Sequence, residues 1–215
     1  IQDKTDPWHE FKDGVRYVLH QRLFLTLILL TWISMFFGTS FIQIMPIFAD
    51  ILHSGERGYG LLISATGLGS VTGNLFISHF QQSRRLGLMM FSCAALAPFS
   101  LAGFSLVTGT LANAAGAFWL ACFFAVLASA FSSVFLVSSM TVLQLKVPDN
   151  LRGRVMGIHS ITFSMIALGG LASGALATKF SAPVAVVIGA VVVLSSVIWV
   201  TIRQGEIINL DGSQL

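Results

Sequence analysis

The chain has 215 residues, of which 55% are hydrophobic and only 10% charged, with a mean hydropathy of +0.83. A soluble domain carries about 25% charged residues, so the composition excludes an ordinary water-soluble globule and points to a membrane protein. The net charge of +3 comes from basic residues scattered between apolar runs, which excludes a nucleic-acid-binding surface.

The chain opens on Ile1-Gln2-Asp3 rather than Met and carries no signal peptide, the pattern expected of a later part of a longer polypeptide. Residues 1–22 form a polar segment. Asp6-Pro7 suits a helix N-cap followed by a first-turn proline. Trp8, Phe11, Val15 and Leu19 then recur at helical spacing with Lys12, Asp13 and Arg16 between them. This predicts an amphipathic helix on the cytoplasmic membrane surface; a plain helical linker is the alternative.

A helix needs about 20 mostly apolar residues to cross the hydrocarbon core. Six stretches qualify: Leu23–Ala49, Tyr59–Phe80, Leu86–Val107, Asn113–Val137, Val155–Thr178 and Pro183–Ile202. Barrel strands would show short alternating segments instead. With six spans both ends of the chain share one side. That side receives Lys4, Lys12, Arg16, Arg22, Arg84, Arg85, Lys146, Arg152, Arg154 and Arg203; the other receives only Arg57 and Lys179. Basic loops stay in the cytoplasm, so both termini, the short tail 204–215 included, are expected there.

In the first span Trp32, Phe36, Thr39 and Gln43 follow the spacing i, i+4, i+7 and i+11, which places them on one helix face. They read either as an aromatic-plus-amide cavity wall suited to a bulky amphipathic substrate or as packing against neighbouring helices. Ser129 and Ser133 in the fourth span are weaker cavity candidates, since serine is common helix-packing material in membranes. Cys93 and Cys122 fall inside apolar runs and read as unpaired thiols. The last span is bulky and branched and is expected to face lipid.

The second span contains GLGSVTGNLFISHF (67–80) and the fifth ALGGLASGALATKF (167–180), which align without a gap at an offset of 100. Each is the second helix of a three-span unit and the two cross in opposite directions. An inverted three-plus-three repeat requires that arrangement; chance likeness between two apolar helices is the competing reading. Gly69 with Gly73, and Gly170 with Gly174, form small-xxx-small pairs that let helix backbones approach closely.

VLQLKVPDNLRGRVMG (142–157) resembles the loop between helices ten and eleven of the major facilitator superfamily, most closely in bacterial exporters of the siderophore and macrolide efflux type. The matching positions are Gln144, Val147, Pro148, Asp149, Arg152, Gly153, Arg154 and Val155. FKDGVRYVLHQRLF (11–24) and GYGLLISATGLGSVTGNL (58–75) resemble the lead-in to helix seven and helix eight of that branch. Two stretches depart from it: no aspartate precedes Arg84-Arg85, and Met165-Ile166-Ala167-Leu168 lacks a proline often found there.

The resemblance implies an all-α membrane protein, the C-terminal six-helix half of a twelve-helix transporter in the bacterial inner membrane. Its partners would be a small-molecule substrate, the lipid bilayer and an N-terminal six-helix half, with no nucleic acid. Arg84, Arg85, Asp149, Arg152 and Arg154 would be cytoplasmic gate and topology residues. The function it implies is export of a drug or siderophore by proton antiport. A lysophospholipid translocator of the same fold and a non-transporting six-span scaffold are the alternatives.

No span contains an acid, so a proton-carrying carboxylate is expected in the other half. His79 and His159 fall near span ends and read as structural. No phosphate loop, metal-spaced cluster or nucleophile–base pair occurs, so neither enzyme chemistry nor a cofactor or metal is expected.

Overall fold

The computed structural model describes residues 7–80 and 86–203, so the readings of Asp6, Arg84, Arg85 and the tail 204–215 lie outside the described residues. Among the described residues every regular element is helical. Six segments are long and apolar enough to cross a membrane: Arg22–Ile51, Gly55–His79, Leu86–Thr110, Ala117–Lys146, Leu151–Lys179 and Ala182–Arg203. Span one is composite, built from α2 (Arg22–Ile33), a π turn (Ser34–Gly38), a 3-10 turn (Thr39–Ile44) and α3 (Met45–Ile51). Spans two to six are α4 (Gly55–Phe80), α5 (Leu86–Thr110), α6 (Ala117–Lys146), α7 (Asp149–Lys179) and α8 (Ala182–Arg203).

The six expected spans fall on these six, with most ends within four residues and two that move further. Helix α6 runs on to Lys146 rather than stopping at Val137, and α7 begins at Asp149 rather than Val155. Gln, Lys and Arg are good helix formers, so a boundary drawn where polarity rises falls short of where the helix stops. The break comes at Val147-Pro148, because proline drives its predecessor out of the helical region; Val147 sits at φ −81°, ψ 130°. Arg152-Gly153-Arg154 is therefore the opening of a helix and not a loop.

Helix α1 (Pro7–His20) precedes span one and rests on α7. The expected stripe is only partly the docking face. Gly14 and Val18 are buried while Leu19 stands 60% exposed; the side chains of Trp8 and Phe11 lie outside the described residues. Glycine sets this choice, because a Cβ at Gly14 would lie 2.9 Å from the Cβ of Arg154. Tyr17 then stacks on Phe24 at a centroid distance of 5.5 Å.

The offset repeat is visible in the helix contacts. Gly69 of span two lies against the Val126 carbonyl of span four, and its counterpart Gly169 of span five lies against the Phe36 carbonyl of span one. Four residues further on, Gly73 meets the Ala130 backbone, while Ser173 shares a 3.1 Å hydrogen bond with Ser40. Val126 and Ala130 each stand 90 positions after Phe36 and Ser40. Two independent pairs of contacts thus map span two on four to span five on one, as an inverted repeat of three-helix units demands.

The small-residue pairs behave differently in the two copies. Gly69 and Gly73 both sit under a neighbouring backbone. In span five the close pair is Gly169 with Gly170, the latter against the Gln43 side chain, and Gly174 has nothing within 4 Å. The four-residue partner of Gly169 is Ser173, which meets Ser40, so Gly174 stands one position outside the contact register. Nor is span six simply lipid-facing. Its Val191, Ile198 and Trp199 are exposed, but Ala185, Gly189, Val193 and Val197 are buried, and Gly189 lies against the Phe37 carbonyl.

Two apolar clusters hold the bundle. One, at the end where α2 begins and α8 finishes, gathers Leu27, Ile28, Met90, Phe135, Val142 and Val155. The other, at the far end, centres on Phe104, met edge-on by Phe41 at 5.7 Å and Phe48 at 4.8 Å. Small residues Ala117, Ala121, Ala125 and Ala128 carry α6 through this second cluster, letting α4 and α5 close on it.

Candidate functional site

The break in span one is written in its sequence. Pro46 has no N–H to give the Ile42 carbonyl and its ring crowds that carbonyl, and Ile44 leaves the helical region at φ −101°, ψ 13°. Upstream the chain loosens into the π turn before tightening into the 3-10 turn. Neither has α periodicity. Trp32, Phe36, Thr39 and Gln43 consequently do not form one wall. Trp32 packs against the apolar cluster near α2, Phe36 presents its carbonyl to Gly169, and Gln43 is exposed beside Gly170.

Thr39 alone of the four lines a small cavity of about 110 Å³ between spans one, two, four and five. Ser129 and Ser133 line it too, along with Met35, Ile42 and Phe163. Thr39 Oγ1 and Ser129 Oγ are buried with no hydrogen-bond partner. Ser133 instead donates to Asn74 Oδ1 at 2.7 Å, tying span four to span two. Ser70 and Ser132 add further hydroxyls to the lining. Asn74, Ser70, Ser132 and Phe163 were not singled out from sequence; an amide at position 74, inside a 25-residue apolar span, was the available signal.

A buried hydroxyl without a partner is costly. Two of them belong to residues lining one cavity, beside a helix whose ladder is broken, and a small rotation about χ1 would offer them to a hydroxyl, amide or carboxyl group of a guest. A second polar level lies next to it. Thr31 and Ser139 share a 3.1 Å hydrogen bond, and the adjoining Trp32 Nε1 and Ser138 Oγ lack partners, as do His159 Nε2 and Thr162 Oγ1 on α7. His159 is not at a span end: it lies one turn before Phe163 and is 2% exposed. His79 is near the end of α4, exposed, its Nδ1 2.9 Å from the Leu75 carbonyl. Cys93 and Cys122 are free thiols. Among the described residues no group of His, Cys, Asp and Glu is placed to hold a metal ion.

The family model of the Major Facilitator Superfamily matches residues 27–212, most of the chain. The chain belongs to this superfamily. No curated protein and no solved structure gives a significant match. The all-helical six-span bundle is a six-helix half of the superfamily's fold, and the protein is a membrane transporter of the major facilitator kind.

Within that fold the Val147-Pro148 elbow is held by its own arginine. Arg152 pairs with Asp149 at 2.7 Å, one turn away on α7, and its Nε donates to the Gln144 carbonyl at 3.0 Å, in the last turn of α6. One side chain thus satisfies an otherwise free carbonyl at a helix C-terminus and fixes the angle between two spans. Arg154 is half-buried where α1 crosses α7, bordering a cleft with Arg16, Tyr17 and His20. Both members of the Arg152–Asp149 pair are largely solvated, so Arg152→Gln should lower stability by no more than about 1 kcal/mol. Thermal unfolding of the purified protein checks this.

Proposed function

We propose that the protein is an exporter of a bulky amphipathic small molecule, working by alternating access together with a second six-helix unit, with the hydroxyl-lined cavity as part of its substrate site. What supports this most is one coincidence: the unpartnered Thr39 and Ser129 hydroxyls border the cavity where span one loses its α-helical ladder. Broken helices at mid-membrane mark substrate sites in secondary transporters. Apolar walls with a few hydroxyls suit an amphipathic guest better than an ion or a sugar.

The acids of the described spans, Asp50 and Glu56, stand at the very ends of spans one and two and none lies deeper, so proton antiport would take its carboxylate from the second unit. Efflux of candidate drugs and siderophores from cells expressing the full transporter, with and without a proton gradient, tests substrate and coupling together. Accumulation identical to that of cells lacking the transporter, across that panel, would count against export.

Orientation follows from charge. Both termini and the α6–α7 elbow belong in the cytoplasm on the ten-against-two distribution of basic residues. A membrane-impermeant thiol reagent applied to intact cells, in a background with Cys93 and Cys122 replaced, should label Asn113→Cys, in the exposed connection between α5 and α6, and spare Asp149→Cys. The reverse pattern overturns the assignment. The elbow arginines would then stand at a cytoplasmic gate: Arg154→Gln should cut efflux about tenfold while membrane insertion stays intact, and unchanged efflux would remove Arg154 from any gate.

A further inference from the structure

Where α2 begins and α8 finishes, spans one and six leave a groove of about 450 Å³ that the transport reading does not use. Its mouth carries Arg22, the first residue of α2, and Arg203, the last of α8. Its walls are mainly apolar, with Thr26 and Ser196 among them: Leu25, Leu29 and Ile33 descend one face of α2, and Trp199 lies on α8. Leu29 is 43% and Trp199 59% exposed, so the groove is open along its side.

Three features define what fits. Arg22 and Arg203 both line this one groove, and among the described residues neither has an ion-pair partner, so the mouth favours an anion. Arginine's planar fork matches the oxygens of a phosphate. From Arg22 to Ile33 the helix rises about 16 Å, close to half of the roughly 30 Å hydrocarbon core, so the apolar wall is one leaflet deep. Trp199 lies one turn inside Arg203, at the level where tryptophan anchors to the membrane interface. A soluble phosphate would engage the arginines alone, whereas a lipid also occupies the apolar wall that continues from them into the hydrocarbon.

We propose that this groove is a binding site for an anionic phospholipid. The phosphate sits between Arg22 and Arg203, and an acyl chain lies along Leu25, Leu29 and Ile33 against the Trp199 ring. Basic pockets between membrane helices bind anionic headgroups in this way. The site joins the first and last spans, so an occupied groove ties together helices from the two halves of the inverted repeat.

Native mass spectrometry of the full-length protein, titrated with phosphatidylglycerol or phosphatidylcholine, tests the proposal. The wild-type protein should hold one phosphatidylglycerol under activation that strips phosphatidylcholine. Arg22→Gln with Arg203→Gln should reduce that preference about tenfold, while Lys146→Gln and Lys179→Gln leave it unchanged. Leu29→Trp fills the groove with both charges intact and should weaken retention of the lipid. An undiminished preference in the double variant would overturn the site, as would displacement of the lipid by glycerol 3-phosphate alone. Should the double variant fail to fold, retention unaffected by Leu29→Trp would overturn it equally.

Discussion

Gly169→Ala should destabilise the protein by roughly 1–3 kcal/mol, the range for overpacking a tight interface, whereas Gly174→Ala, five residues along the same helix, should be neutral or slightly stabilising. The added methyl at position 169 would land on the Phe36 carbonyl, with the Phe36 carbon and Cα directly behind it. A backbone cannot swing aside as a flexible side chain can, so α7 must retreat from span one. At position 174 the same methyl meets nothing within 4 Å, and alanine restrains the unfolded chain more than glycine does. Thermal unfolding of purified variants separates the two by sign. Gly69→Ala should behave like Gly169→Ala, because Gly69 takes the equivalent place under Val126. Equal behaviour of the 169 and 174 variants would contradict the close packing of spans one and five.

The two copies of the repeat explain why some of this was legible in the sequence and some was not. Spans need only a long apolar run, and six such runs stand out because the hydrocarbon core tolerates little else. The 100-residue offset was legible because glycine at a backbone contact cannot be replaced by a larger residue without moving a helix. The shape of span one was not legible from periodicity. Counting i, i+4, i+7 and i+11 assumes 3.6 residues per turn, and the π and 3-10 turns between Ser34 and Ile44 break that assumption. Pro46 was the sign of it.

The equivalent stretch of α6, 90 positions later, is regular α-helix, with Ala128 where span one has Gly38 and Leu136 where it has Pro46. The break is therefore a local departure from the repeat and not a demand of the topology. A polarity-based boundary misled in the opposite way at the α6–α7 elbow. Arg152 looked like a free loop charge, but its helix begins three residues earlier, and that register brings its guanidinium to Asp149 and the Gln144 carbonyl.

The departure from symmetry also fixes where a substitution should separate stability from transport. Thr39→Val and Ser129→Ala remove hydroxyls that are buried and unpartnered. Each such group carries a desolvation cost of about 1–3 kcal/mol with no bond to offset it, so either variant should be as stable as the wild type or more stable. Transport should move the other way. A guest that hydrogen-bonds to Thr39 or Ser129 recovers that cost on binding, and losing one such bond should lower transport about tenfold. Ser133→Ala should do something else, because Ser133 already donates to Asn74: it leaves the amide short of a partner and costs stability first. Unfolding temperatures and efflux rates measured on all three variants decide the matter. Thr39→Val and Ser129→Ala proteins that gain stability and still transport at the wild-type rate would reduce the cavity to a packing defect beside a broken helix.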